Sequence, residues 1–331
     1  MELAQVIPPP TPPEKNGADI FRKAAALIDA DDSLSYSNYV YGMEMVAPGK
    51  AMVRWRQSDV RDSEGTNSWE SVEEAVSQNA QSFALLHQII AKPEFDFRIN
   101  YDQGVADLNF TNFYLAESKR AAQRLGTAAL CDLHQGNTAS TVTNLQTMLA
   151  IVKAMRNERL VISELVRIAI ANIALTVNWE VLQSTNVTDE QLAELQNDWA
   201  SLNFIRSGEN ALEMERVSGE ITLRKRRRSN AELQRQFDLG RRARESMGLP
   251  NEDENLWDKT KVTAKVFTWR YWWSYPDEAR ALKGYEVLLE TERFAENDSF
   301  QIALQAQGIK LANLGIDKLD DEFSFFLIRR R

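Results

Sequence analysis

The sequence predicts an all-α fold of antiparallel helical hairpins in a repeat-like array, and three observations carry that prediction. Residues 113–204 contain no proline and only the glycines Gly126 and Gly136. Glycine is scarce throughout, at 14 of 331 residues, and five of the nine prolines (Pro8, Pro9, Pro10, Pro12, Pro13) fall in the first 13 residues. Only Pro48, Pro93, Pro250 and Pro276 remain to punctuate the rest, too few turn residues for a large β domain. Finally, capping signals recur at short linkers, which make consecutive helices antiparallel neighbours.

Taken in order, residues 1–15 form a proline-rich leader, expected to be an extended, disordered spacer. Asn16–Asp29 reads as an amphipathic helix with Ile20, Phe21, Ala24, Leu27 and Ile28 on one face. Residues 31–67 are mixed and loop-rich. Ser68 is placed to cap a helix from Trp69 to Lys92, with Glu70 and Glu73 favourable in its first turn and Pro93 as its stop. After an aromatic connector, Phe95–Asn109, comes a helix over Phe113–His134 that stops at Gln135-Gly136-Asn137. Thr138 is the expected cap of the next, which reaches about Asn157. The long helix Glu158–Ser184 follows, and Thr188 with Gln191 makes a capping box for Asp189–Leu202. Residues 16–205 are thus read as the helical array.

Residues 206–331 are read as a less regular helical part. Gly208–Leu223 has weaker helical signals, 224–244 is basic, Leu249–Lys259 is an acidic loop, and 269–275 is aromatic. Helices are expected near Asp277–Glu296 and Ser299–Leu314, before an apolar tail, Asp317–Arg331. The hairpin Leu125–Met155 has the size of a tetratricopeptide unit but matches its signature poorly and has no second copy, so the array is tetratricopeptide-like in packing only.

Charge and composition bound the function. The net charge of −9 argues against general nucleic-acid binding by the whole chain. One cysteine excludes an internal disulfide framework. No signal peptide is recognisable, and the longest uncharged apolar run, Ile168–Trp179, falls short of the ~20 residues of a membrane span. As given, the chain reads as soluble.

Chemistry-bearing motifs are sparse. Cys131 and His134 share a helix face, but His87 is the only other histidine and no second cysteine exists, so no metal is expected. Neither a G-x-S-x-G elbow nor a phosphate-binding glycine motif occurs, and no cofactor is expected. Glu164 and Arg167 interrupt the apolar stretch of the long helix at i, i+3, where buried charge is costly. They form either a structural ion pair or a polar inter-helix site joined by Arg120 or Arg124. Residues 224–245 carry nine basic against three acidic side chains, a patch for nucleic acid or anionic lipid unless it is compensated within the chain. Trp269, Tyr271, Trp272, Trp273 and Tyr275 put five aromatics in seven residues; base stacking would use such rings beside basic residues, but this density more often fills a core or a subunit interface, and a core is the favoured reading.

The runs Arg120–Leu125, Leu133–Asn137, Leu145–Val152 and Leu160–Ile170, with Asn16–Leu27 and Tyr101–Gly104, resemble a group of uncharacterised helical proteins of planctomycetes and verrucomicrobia, most clearly over about residues 90–205. The resemblance implies a single N-terminal membrane helix ahead of the proline-rich spacer, hence association with the cell envelope. This chain has the spacer without that anchor, as a shortened member or a misplaced start would. No activity and no site residue comes with the resemblance.

The functional expectation is a non-enzymatic helical scaffold that binds another protein, with Arg120, Arg124, Glu164, Arg167, Trp269, Trp272 and Trp273 as candidate binding residues. One alternative is an enzyme with a polar site near Glu164 and Arg167. The other is an anionic-surface binder acting through Arg224–Arg244.

Overall fold

The computed structural model describes residues 2–28, 45–48, 50–61, 66–101, 114–229, 269–297 and 299–314. The fold is all-α. Among the described residues the only strands are two short antiparallel pairs, β1 (Met45–Ala47) with β2 (Lys50–Ala51) and β3 (Val60–Arg61) with β4 (Thr66–Asn67). The acidic loop 249–259 and the tail 317–331 lie outside the described residues, as does the basic segment beyond 229.

Contacts divide the chain into two units, Met1–Ile7 with Asn100–Leu108 and Gly208–Arg331, and Pro8–Ile99 with Asn109–Ser207. The first contains the helical turn α1 (Leu3–Val6). The second, the core unit, holds α2 (Ala18–Ala25), α3 (Trp69–Gln78), α4 (Ala80–His87), α5 (Tyr114–His134), α6 (Thr138–Ala154), α7 (Val161–Val181) and α8 (Asp189–Ala200). Helix α9 (Phe204–Arg228) begins in the core unit, and α10 (Ser274–Asn297) and α11 (Phe300–Asn313) belong to the C-terminal unit.

Local chemistry places these elements. The Ser68 hydroxyl accepts from the Ser71 amide at 3.3 Å at the start of α3. The Asn79 side chain donates to Ala75 O at 2.9 Å where α3 gives way to α4, and a 3-10 turn, Gln88–Ala91, brings the segment to Pro93. Helix α5 ends in a Schellman motif in which Asn137 N donates to Asp132 O (2.7 Å) and Gly136 N to Leu133 O (3.1 Å). Gly136 has φ +80°, which a side chain would strain. Asn137, rather than Thr138, takes the N-cap position of α6, and its amide group bonds Gln135 instead. The capping box forms at α8, with Gln191 N on Thr188 Oγ1 (3.3 Å) and Thr188 N on Gln191 Oε1 (3.0 Å).

Helices α5, α6 and α7 each pack against the other two. The three-residue turn between α5 and α6 makes that pair an antiparallel hairpin. Ala121, Ala122, Ala128 and Ala129 on α5 are buried, and their small size allows close helix approach. Around them lie Leu125, Leu145, Met148, Ile151, Met155, Ile170 and Val177. An aromatic group, Phe21, Phe95, Phe97 and Tyr114, extends this core, with Phe21–Phe95 centroids at 5.2 Å and Phe97–Tyr114 stacked at 3.5 Å.

Residues 11–17, read from the sequence mostly as extended leader, lie along residues 92–96. Thr11 Oγ1 donates to Glu94, Gly17 N to Glu94 O, and Glu94 N to Lys15 O. A β-carbon on Gly17 would stand 3.0 Å from Lys92 Cβ and 3.2 Å from the Phe95 ring, so glycine permits this approach.

Among the described residues one helix, α7, is long and apolar enough by length and composition to cross a membrane. The uncharged run 168–179 underestimates it, because the helix continues through Glu164, Arg167 and Glu180. In this unit those three side chains turn inward and α7 packs on α5 and α6.

Candidate functional site

The candidate site in the core unit is built on Glu164 and Arg167, one turn apart on α7 and 5% and 1% exposed. Their side chains pair at 3.0 Å. Arg167 Nε donates to Val152 O at 2.7 Å, supplying a partner to a carbonyl in the last turn of α6, where intrahelical donors run out. Phe95 N does the same for Ala154 O at 2.9 Å. Ser207, near the start of α9, bonds the Arg167 guanidinium and donates to Glu164 Oε2 at 3.0 Å. The guanidinium lies over the Phe204 ring at 4.5 Å. Burial pushes the Glu164 carboxyl upward, against the pull of Arg167 and Ser207. The cluster ties α6, α7 and the start of α9 together in a place closed to solvent.

Ser207, Val152 and Phe204 complete this cluster and were not singled out in the sequence, where they lie 40, 15 and 37 positions from Arg167. Of the two arginines expected beside the pair, Arg124 is buried and Arg120 half-buried on α5.

A second polar cluster escaped sequence reasoning. Glu180, buried near the end of α7, accepts from Arg54 N at 3.1 Å, while Trp55 Nε1 donates to Glu180 O at 3.1 Å. Burial pushes the Glu180 carboxyl up to about 7. His134 Nδ1 bonds Trp55 O at 2.8 Å, and its ring stacks on Trp69 at 4.0 Å. That bond requires the proton on Nδ1, because a carbonyl only accepts. Nearby, Asn144 Nδ2 donates to Asp132 at 2.8 Å and Asn144 Oδ1 faces His87 Nε2 at 2.9 Å, which places the His87 proton on Nε2. Arg54 and Trp55 are thus held by backbone and ring contacts that no sequence motif announces.

The Cys131–His134 pair is not brought together as ligands. Cys131 is buried, with its thiol pushed up to about 12 by burial and by Glu73, while His134 is exposed and engaged with Trp55 and Trp69. Among the described residues no group of three or more His, Cys, Asp or Glu side chains is arranged to hold a metal ion.

In the C-terminal unit the aromatic cluster forms a π-helical turn, Trp269–Trp273, ahead of α10. The density of aromatics favoured a core, and the structure differs. Trp272 is 66% and Trp273 57% exposed, with Tyr271 and Tyr275 also exposed. Trp269 is half-buried and anchors the turn by donating to Asp277 at 2.8 Å. Ser274, fully buried, bonds Arg270 O at 2.8 Å. The turn is held by these polar anchors, so its large rings need not fill an interior.

Of the basic segment, residues 224–228 end α9. Arg224 pairs with Glu220, and Arg227 pairs with Glu278 at 2.5 Å and lies over Tyr275 at 4.3 Å. Arg226 is buried, and its carbonyl accepts from Arg270 at 3.1 Å. Arg224 and Arg227 are therefore paired with acidic side chains within the unit, and Arg235, Arg241, Arg242 and Arg244 lie outside the described residues.

In comparisons with known proteins, no protein-family model, no curated protein and no solved structure matches the chain.

Proposed function

We propose that the chain is a non-enzymatic helical scaffold that binds a partner protein through the aromatic turn at 269–275. The observation that carries this reading is the exposure of Trp272, Trp273, Tyr271 and Tyr275 on four consecutive or near-consecutive positions. A cluster of large rings at the surface is the composition of a binding anchor, since Trp and Tyr bring much contact area for few rotatable bonds. Charge pairing at Arg227–Glu278 and the Trp269–Asp277 bond hold the turn in place before any partner arrives. In the same proposal the hairpin α5–α6 with α7 is the start of a repeat-like array, and the chain is kin to the helical group it resembles.

The enzyme reading is less well supported. Glu164 and Arg167 are bonded to each other and to Val152 and Ser207 with almost no exposure, so substrate has no access to them as they stand. The anionic-surface reading loses Arg224 and Arg227 to internal pairs. The test is affinity capture from a lysate of the source organism, with wild type and Trp272→Ala/Trp273→Ala in parallel. The expected result is a protein retained by wild type and depleted roughly tenfold or more with the double variant. Equal recovery by both overturns the assignment.

A further inference from the structure

Helix α7 is apolar on two faces: Ile170, Ala174, Val177 and Val181 are buried in the core, and a second apolar stripe faces outward. Its only charged side chains, Glu164, Arg167 and Glu180, are all buried, whereas Ile162 (42%), Leu165 (55%), Ile168 (49%), Leu175 (55%) and, just past its end, Leu182 (55%) are exposed. The exposed positions Leu165, Ile168, Asn172, Leu175 and Leu182, with the half-buried Trp179, are spaced 3, 4, 3, 4 and 3 apart, which is the a/d alternation of a coiled-coil seam. Asn172 is the single polar residue in it. Ala169 and Thr176 flank it and leave room for close approach.

We propose that α7 pairs with α7 of a second copy of this chain, parallel and about a two-fold axis, with Asn172 facing its own counterpart. A seam without charge meets itself with no repulsion, which an identical face requires. The Asn172 amide carries both donors and an acceptor, so an identical amide satisfies it, whereas an apolar neighbour leaves it unpaired. One a-position asparagine is also the device that sets register in paired helices. From Leu165 to Leu182 the seam runs about 26 Å at 1.5 Å per residue. Two copies joined along it bury roughly 1,000 Å², near the threshold for a specific interface.

A bilayer fits the same face less well. The apolar stripe is one helix wide, and Asn172 at its centre is exposed, with an amide that lipid tails would leave unpaired.

The test uses the full chain. Sedimentation equilibrium of wild type from about 1 to 100 µM is expected to show a monomer–dimer equilibrium, and Leu175→Glu is expected to weaken it roughly 30-fold or more, because it places a charge in the seam. Leu175 is half-exposed, so the variant's circular dichroism should match wild type. Cross-linking gives an independent readout. Asn172→Cys treated with an oxidant should form a disulfide-linked dimer, since facing a positions bring Cα atoms within the ~7 Å a disulfide needs. The only native cysteine, Cys131, is buried and does not compete. A wild type that stays monomeric at 100 µM overturns the proposal, as does a dimer indifferent to Leu175→Glu. A dimer in which Asn172→Cys fails to cross-link overturns the parallel register. A monomer that floats with phosphatidylcholine–phosphatidylglycerol vesicles, and loses this with Leu175→Glu, assigns the face to a bilayer instead. Should Leu175→Glu fail to fold, the Asn172→Cys cross-link decides alone.

Discussion

The deepest ion pair of the core unit and the half-exposed pairs of the C-terminal unit sit in opposite settings. In the core unit the Glu164–Arg167 pair sits at 2–6% side-chain exposure, bonded to a helix-end carbonyl and a serine hydroxyl. In the C-terminal unit Arg293 on α10 reaches Glu209 (2.5 Å) and Glu213 (3.1 Å) on α9 with half its side chain in water, and Lys310 on α11 meets Glu290 at 2.6 Å at similar exposure. Large apolar side chains are exposed in both units. Ile162, Leu165, Ile168 and Leu175 of α7 face out in the core unit, and Tyr271, Trp272, Trp273 and Tyr275 face out before and at the start of α10. Charge type therefore says little about a residue's work here, while burial says much. A pair removed from water must be matched on both sides, whereas a pair in water is nearly optional.

The largest expected effect follows from breaking the buried pair. Arg167→Ala leaves the Glu164 carboxyl buried without its cation and should destabilise the core unit by about 3–5 kcal/mol, read by urea unfolding. Glu164→Gln/Arg167→Met, which removes both charges at similar volume, should recover most of that loss. If the double variant is as unstable as Arg167→Ala alone, the pair is not the cause.

The next effect sharpens the same contrast through pH. Glu158, in the linker before α7, is 3% exposed, and burial pushes its carboxyl up to about 7 from 4.5. A raised carboxyl binds its proton more tightly in the folded state. Its contribution is therefore fully present below about 4.5 and is lost as pH rises through about 7. Glu180, up to about 7, and Asp132, up to about 6, act in the same sense. Core-unit stability should fall from pH 5 to pH 8, and Glu158→Gln should raise it at pH 8 by on the order of 2–3 kcal/mol. A pH profile unchanged by Glu158→Gln would remove Glu158 as its source.

Arg293→Ala provides the surface counterpart. The half-exposed pairs with Glu209 and Glu213 should contribute no more than about 1 kcal/mol, less in high salt. A loss comparable to that of Arg167→Ala would erase the difference between the units.

Helix existence was legible in the sequence because its signals are local. The proline-free run, Ser68, the Thr188–Gln191 box and the Gly136 turn each act within one turn of chain, and each forms as read. Helix faces were less legible. Large apolar residues are normally read as inward, and α7 does bury Ile170, Val177 and Val181, but it also buries its charges with Ala171 and Ala174 and leaves Leu165, Ile168 and Leu175 outside. A signal existed in hindsight, because Glu164, Arg167, Ala171 and Ala174 share one stripe. The partners of that stripe, Ser207 and Val152 O, depend on how α6 and α9 return to it, which no local pattern encodes. Glu158 shows the same limit. The sequence pattern runs the long helix from Glu158, yet Glu158 and Leu160 have extended backbone and α7 starts only at Val161.

Differential scanning calorimetry of Trp272→Ala/Trp273→Ala beside Arg167→Ala tests most directly whether burial divides structural from surface residues in this chain. The expected result is a melting temperature within about 2 °C of wild type for the tryptophan variant and a fall of roughly 10 °C for Arg167→Ala. A tryptophan variant that melts as far below wild type as the arginine variant, or an arginine variant that melts with wild type, would contradict it.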